Sequence, residues 1–354
     1  MRSLSMLLLT MACMTASSSA DEKPQKTWRF FHIPFVSKPF AIAKDTTRLT
    51  EPLTKDGLVD YAAALNQMYS KGVTPENNAA VVLWNVFGPS LVHEEIRKEY
   101  FKQLGMPIPP AKRKYFVPVP EYSDEEFHEQ LSQAKTSPWS RKEFRKIAKW
   151  LDENSLLLDK LRDASRRPRF YEPLITAKLD IELNTLVTSG LATAEEPAIV
   201  AVRIVVDGLL CRSMLLAKAR EFDDSRNDLI AAHRWSRLRG KKATLIAVTW
   251  SQSGERQVCV AERAFLLDSR LPAAQFTKLK SELKNLPTKA DWGEAFDRHT
   301  RFVFLDSICR IAKDSDKWRS LFISYELSEN TPTAFSDFVI DVGADWNRLL
   351  GQGN

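Results

Sequence analysis

Two carboxylates and a phenol lie close together in the first quarter of the chain. Asp56 and Asp60 are four residues apart, and Tyr61 follows directly. Carboxylates and a phenol at this spacing are suited to acid–base catalysis, such as hydrolysis, or to holding a polar ligand. The same residues also fit a structural role, because Asp56-Gly57 is typical of a turn and Asp60 is a good N-cap for a following helix. The structural interpretation is favoured, since such residues are common at caps.

Three amides extend this polar stretch. Asn66, Asn77 and Asn78 either enlarge the same site or satisfy backbone groups at helix ends. One observation separates a hydrolytic site from a set of caps: Asp56, Asp60 and Asn78 either converge in a concave pocket or lie spread along helix ends.

A second candidate site lies in the apolar run after Pro197. Arg203 and Asp207 are four residues apart and therefore share one helix face, surrounded by Val, Ile, Leu and Ala. His233 lies at the border of the apolar face of the next helix. These three side chains either form a ligand pocket or are held structurally, with Asp207 neutralising Arg203. The structural ion pair is the favoured interpretation.

Other signatures of catalysis are missing from the sequence. It contains no Gly-x-Ser-x-Gly elbow, no glycine-rich phosphate loop and no Cys-x-x-Cys pair. His93-Glu94-Glu95 begins like a zinc-protease motif, but Arg97 stands where the second histidine is needed. The five histidines show no metal-ligand spacing. We therefore expect no metal and no cofactor.

The charge of the chain is moderate and well mixed. The sequence has 51 Lys and Arg against 45 Asp and Glu, a formal net charge of +6. Its short basic clusters, of which 234–242 is the longest, are interpreted as solvated surface. We expect no nucleic-acid partner.

Helix signals are frequent and well punctuated. In the first half, Thr74-Pro75 is expected to begin a helix that Gly88-Pro89 ends, and Ser90 to begin the next, which stops at Gly105. A proline-rich link over 106–120 follows, and Ser123 and Ser137 are expected to begin two more helices. The second half is predicted to be a series of helices at Pro197–Ala219, Ser225–Arg239, Thr244–Asp268, Pro272–Asn285 and Asp291–Lys313.

These patterns predict a mostly α fold with little β structure. The short links force antiparallel helical hairpins, which would form an irregular bundle or a short α-array, and Ala334–Val342 is the one plausible strand. The expected organisation is a signal peptide at 1–20, a mobile segment at 21–53, an N-terminal helical region at 54–168, a helical-hairpin region at 169–313 and a C-terminal extension at 314–354.

The first twenty residues have the layout of a secretory signal. Arg2 precedes an apolar run, and small residues lead to a cleavage site after Ala20. Lipidation at Cys13 is the disfavoured alternative, and no later stretch is apolar and long enough to span a membrane. The chain is thus expected to be exported, periplasmic or secreted. Three cysteines then remain, each in an apolar context that favours buried thiols: Cys211, Cys259 and Cys309.

Several blocks of the sequence resemble a family of exported planctomycete proteins for which no activity is known. The blocks are TKDGLVDYAAALN at 54–66, VTPENNAA at 73–80, CRSMLLAKAREFDDSRNDLIAAHRWSRL at 211–238 and FDRHTRFVFLD at 296–306. The resemblance implies export and bacterial origin, and it implies no chemistry.

Two functions are consistent with these observations. The first is a helical interaction or ligand-binding protein of the cell envelope, whose partner is another envelope protein or a small polar ligand. The alternative is a hydrolytic enzyme with a carboxylate site at Asp56, Asp60 and Tyr61. The missing catalytic signatures favour the first.

Overall fold

A computed structural model describes most of the chain. It covers residues 41–120, 123–176, 190–191, 194–241, 244–268 and 270–313. The expected signal peptide, the strand at 334–342 and the C-terminal extension lie outside these residues, as does the expected mobile segment up to residue 40. No helix in the part of the chain that the structure describes is long and apolar enough to cross a membrane.

The fold is mostly α-helical, as the sequence predicts. The first five helices are α1 (Tyr61–Ser70), α2 (Ala79–Phe87), α3 (Glu94–Leu104), α4 (Glu125–Ala134) and α5 (Arg145–Ala164). Residues 106–120 contain no helix, in agreement with their proline content.

Several of the predicted helix starts are wrong, and the helix expected from Ser137 begins only at Arg145. Helix α2 begins after Asn78, whose side chain accepts a hydrogen bond from the Ala80 N–H, whereas Thr74 and Asn77 form a separate turn. Helix α4 is capped by Asp124 instead of Ser123, because the Asp124 carboxylate accepts from the Phe127 N–H at 3.1 Å. In both cases a second capping residue close to the predicted one occupies the N-cap.

The second half contains the longer helices. They are α6 (Ala198–Lys218), α7 (Phe222–Gly240), α8 (Leu245–Leu266), α9 (Ala273–Lys284), a short α10 (Trp292–Glu294) that continues through a π-helical turn (Ala295–Thr300), and α11 (Arg301–Lys313). Helices α6, α7 and α8 pack side by side through short links. The one sheet in the described residues was not predicted: β1 (Ile175–Thr176) pairs antiparallel with β2 (Ala194–Glu195).

One continuous apolar core joins the two halves of the chain. It includes residues from Ala79 to Leu279, and the expected boundary at 168/169 lies inside it. Two buried tryptophans connect the halves directly. The Trp139 indole N–H donates to the Cys211 carbonyl on α6, and the Trp235 indole on α7 donates to the Leu161 carbonyl on α5. A smaller cluster packs α1 against α11.

The cysteines are only partly placed as expected. Cys211 and Cys309 are buried free thiols, but Cys259 is exposed and free. The prediction for Cys259 is wrong because its neighbour Val258 takes the buried face of α8 and leaves Cys259 on the outer one.

Candidate functional site

The residues of the first candidate site have separate structural roles. The Asp60 carboxylate caps α1 by accepting from the Ala63 N–H at 2.8 Å. Asp56 is exposed in a turn. The Tyr61 hydroxyl is buried and donates to the Thr47 carbonyl at 2.7 Å, and burial above all raises the pKa of this phenol. These positions match the interpretation of Asp56 as a turn residue and of Asp60 as a helix cap.

The two buried amides hold a backbone segment instead of a ligand. The Asn66 side chain exchanges two hydrogen bonds with the Leu174 backbone, each 2.8 Å long. The Asn78 side chain does the same with Tyr171, at 2.9 Å each. Together they fix residues 171–174 beside α1 and α2. This positioning matters for a buried residue of the same segment, Glu172.

The second candidate site is built differently from the predicted ion pair. The Arg203 side chain is 50% exposed, and its Nε lies 4.0 Å from the Asp207 carboxylate. The close partner of Asp207 is Lys135, whose Nζ donates to Oδ1 at 2.7 Å. Arg203 instead lies over the Trp250 ring, 5.6 Å from its centre. The expected pair of Arg203 and Asp207 is thus present only as a 4.0 Å contact. The expectation that Arg203 is buried is wrong, and Lys135, which follows α4, is the close partner of Asp207.

A double-mutant cycle is expected to separate the two cations. The free energy that couples Lys135→Met with Asp207→Asn should be about 1–3 kcal/mol, since both side chains are largely removed from solvent. The coupling of Arg203→Met with Asp207→Asn should stay below about 0.5 kcal/mol, because Arg203 is half exposed. Urea unfolding of the single and double variants measures both values. Equal couplings would contradict the assignment of Lys135.

His233 belongs to a separate buried cluster. Its Nδ1 lies 3.0 Å from the Glu255 carboxylate, and its Nε2 lies 3.2 Å from the Glu262 carboxylate. Arg237 donates to the other oxygen of Glu255 at 3.0 Å. Burial by itself lowers the pKa of His233, but the hydrogen bonds to the two carboxylates outweigh it and raise the pKa above the ordinary histidine value. His233 is thus a structural imidazolium that joins α7 to α8.

This arrangement predicts a pH-dependent stability. Because the pKa of His233 is higher in the folded chain, its contribution is fully present below the ordinary value of about 6.5 and is lost as the pH rises through the folded value. The difference in unfolding free energy between the wild type and His233→Gln should therefore shrink as the pH rises from 6 to 9. Exposed His93→Gln is the control for a histidine that is replaced outside this cluster. If the difference in unfolding free energy between the wild type and His233→Gln grows with pH, a protonated His233 in the folded chain is contradicted.

The sequence patterns did not reveal the most deeply buried charge cluster, which surrounds Arg239. The guanidinium of Arg239 is 2% exposed, and its Nη2 contacts the carboxylates of both Glu172 and Glu196, at 3.1 Å for Glu172. The Tyr100 hydroxyl donates to Glu172 at 2.7 Å, and the Ala198 N–H donates to the same oxygen at 3.1 Å. Burial and the Glu172 carboxylate raise the pKa of Tyr100, which keeps this donor protonated.

Two of the Arg239 nitrogens are not used by this cluster. Neither Nε nor Nη1 has a hydrogen-bond partner among the described residues. The hydroxyl of Ser236, one helical turn earlier and 2% exposed, has none there either. Buried donors without acceptors are rare in folded proteins and call for an explanation.

Ser236 and Arg239 are among the residues that line a small cavity. Its volume is about 30 Å³, enough for one small functional group or a water molecule. Helices α6, α7 and α8 form its walls, and the lining residues include Arg203, Asp207, Ser236, Arg239, Trp250 and Gly254. Arg203 and Trp250 are partly exposed, so they mark its solvent side. Of the predicted site residues, the cavity brings together Arg203 and Asp207 but not His233.

The sequence did carry one signal for the buried position of Arg239. Leu229, Ala232, Ser236 and Arg239 recur at spacings of three and four, and all four are buried. The interpretation of 234–242 as solvated surface is therefore wrong for Arg239, which continues the buried face of α7.

The comparisons of this chain with family models, with curated proteins and with solved structures find no match.

Proposed function

We propose that this chain is an exported binding protein of the bacterial cell envelope that holds a small polar ligand in the cavity beside Arg239. The observation that carries the proposal is the pair of buried Arg239 nitrogens, Nε and Nη1, which lack acceptors among the described residues and belong to a residue that lines the cavity. Export is supported by the signal-like residues 1–20.

The energetics favour a bound acceptor. A buried donor without a partner costs about 1–3 kcal/mol, and more when it is charged. A ligand oxygen that accepts from Arg239 and Ser236 would recover part of this cost on binding. Such a site also discriminates well, because an analogue without the acceptor leaves the donors unpaired.

The size of the cavity limits what enters it. A volume of about 30 Å³ admits one functional group, so the remainder of a larger ligand would lie at the solvent side. There Trp250 offers an aromatic surface and Arg203 an exposed guanidinium. Both residue types are common in binding surfaces because they combine apolar area with hydrogen-bonding groups.

A substitution of Gly254 can fill part of the cavity without changing any charge. A Cβ at this position would lie 2.7 Å from the Ser236 hydroxyl. Gly254→Ala should therefore fill the space beside Ser236, while the helix gains from the better propensity of alanine. Gly293→Ala is the matched control, since its Cβ would contact only the exposed Asp291.

The test is the identity of what the native protein carries. The wild type and both variants are produced in the organism that encodes them, purified without denaturation and then denatured, and the released small molecules are identified by mass spectrometry. We expect one polar compound, near equimolar, from the wild type and Gly293→Ala, and none from Gly254→Ala. Equal release from all three proteins, or from none, would contradict the proposal.

A further inference from the structure

A groove with a volume of about 360 Å³ lies between the last turns of α8 and the outer face of α9. It shares no lining residue with the cavity beside Arg239. Helix α9 packs more closely against α7 than against α8, which leaves the groove open. The volume falls in the range of about 300–1,000 Å³ that is typical of small-molecule sites. Seven residues line this α8–α9 groove: Glu262, Leu266, Phe276, Leu279, Lys280, Leu283 and Lys284.

The walls of the α8–α9 groove are apolar and in contact with solvent. Phe276 is 53% exposed, and Leu266 and Leu283 are partly exposed. Leu279 forms the floor at 1% exposure and belongs to the main core. Leu267, which follows Leu266 directly, is 72% exposed and extends the apolar surface beyond the end of α8. Apolar side chains gathered at one place on a surface indicate a binding site, whereas single scattered ones do not.

The rim of the groove carries positive charge. Lys280 and Lys284 lie one helical turn apart on α9, both are exposed, and neither forms an ion pair with a described carboxylate. Glu262, on the opposite wall, is held by His233, whose Nε2 lies 3.2 Å from its carboxylate. Like charges at this spacing repel each other, so an anion between the two ammonium groups is stabilised. The alkyl stems of the lysines extend the apolar wall at the same time.

The dimensions of the groove fit a single hydrocarbon chain better than a protein partner. A stable protein interface has about 20–30 residues on each side, whereas seven residues line the groove. Phe276 and Lys284 are about 12 Å apart along α9, because a helix rises about 1.5 Å per residue. An extended chain advances about 1.2 Å per bond, as an extended backbone does, so about ten carbons span this length.

We propose that the α8–α9 groove binds a fatty carboxylate of medium chain length, at a site separate from the cavity beside Arg239. The acyl chain lies against Leu266, Phe276 and Leu283, and the carboxylate lies between the ammonium groups of Lys280 and Lys284. Burial of the chain supplies most of the affinity, since each methylene that is fully removed from water tightens binding about fourfold. The lysines select the sign of the headgroup.

Three probes test the chain and the charge separately. Octanoate and octylammonium have chains of equal length and opposite charges, and decanoate adds two methylenes to octanoate. The full chain is titrated with each probe, as a monomer in solution at pH 7 and constant ionic strength. The reporters are the assigned methyl ¹H–¹³C signals of Leu266 and Leu283. Leu156, which is 75% exposed and does not line the groove, serves as the reference.

We expect decanoate to shift the signals of Leu266 and Leu283 with saturation, while the signals of Leu156 stay in place. Octanoate should need about a tenfold higher concentration than decanoate, because it buries two methylenes fewer. Octylammonium should need about a fivefold higher concentration than octanoate, which is the scale of an exposed ion pair.

Replacing both rim lysines, Lys280→Gln with Lys284→Gln, should abolish the preference for octanoate over octylammonium and keep the dependence on chain length. Both side chains are exposed, so the variant is expected to fold. Lys278→Gln is the matched control, because Lys278 lies on the same helix but binds Asp223 at 3.0 Å outside the groove. It should keep the preference for octanoate.

Three outcomes would overturn the proposal. Equal affinities for octanoate and octylammonium, or a preference that survives the double substitution, would show that the lysines do not select the headgroup. A shift of Leu156 in parallel with Leu266 and Leu283, or no shift at all, would show that the groove does not hold the chain. Signals of Leu266 and Leu283 that respond to protein concentration instead of the probes would make the groove an interface between copies of this chain.

Discussion

Replacing Arg239 by methionine is expected to lower the free energy of unfolding by about 3–5 kcal/mol. The substitution keeps an unbranched, flexible side chain, shortens it and removes its charge. It removes the guanidinium that contacts the buried carboxylates of both Glu172 and Glu196. Breaking a buried charge cluster from one side has this large effect because the remaining ions stay desolvated and lose a close counter-charge. Equilibrium urea unfolding at pH 7 measures the loss.

Arg203→Met is the matched control for this experiment. It makes the same chemical change in a residue that lines the same cavity, but on its half-exposed side. Its main contact is the Trp250 ring, so the loss should stay below about 1 kcal/mol. Adding Glu172→Gln and Glu196→Gln to Arg239→Met should recover much of the stability, since the buried carboxylates that lost this counter-charge are then neutral. A loss below about 1 kcal/mol for Arg239→Met would refute a buried, fully charged cluster.

The helices could be predicted from the sequence because their signals are local. Proline at the start and a short link at the end placed Pro197–Ala219 within one residue of the observed Ala198–Lys218 at each end. The start of α2 could not be fixed in the same way. Thr74 and Asn78 are both good caps, and the choice between them depends on Tyr171, which pairs with the Asn78 side chain from 93 residues away.

The candidate site escaped prediction because its partners are distant in sequence. A pattern of i, i+4 spacing can propose Arg203 for Asp207, but Lys135 lies 72 residues before it. The Arg239 cluster draws Glu172, Glu196 and Tyr100 from three separate segments. Residues 171–174 are held beside Arg239 because the side chains of Asn66 and Asn78 pair with their backbone. In the sequence, the same two amides were candidates for a polar ligand site. Their true role shows that a buried amide often positions the backbone that carries a functional group.

The second large effect is expected at Asp228, whose side chain is fully buried on α7. Arg212 on α6 binds it with two hydrogen bonds, from Nε at 2.6 Å and from Nη2 at 2.7 Å. Burial raises the pKa of Asp228 even though Arg212 opposes the shift. Arg212→Met should therefore lower the free energy of unfolding by about 3–5 kcal/mol at pH 7, because the carboxylate stays buried without its main counter-charge.

Two further measurements decide whether an unpaired buried charge causes this loss of stability. One is the dependence of the loss on pH, and the other is its response to a second substitution. Without Arg212 the pKa of Asp228 rises further above the ordinary aspartate value of about 3.9, so the folded variant binds a proton more readily than the unfolded chain. The loss should then shrink as the pH falls from 7 to 5, and Arg212→Met with Asp228→Asn should restore much of the stability. The exposed pair Arg141–Asp152, with contacts of 2.8 and 2.9 Å, is the control, and Arg141→Met should change the stability by less than about 1 kcal/mol. If Arg212→Met and Arg141→Met lower the free energy of unfolding equally, the effect at Asp228 would come from hydrogen-bond geometry and not from burial.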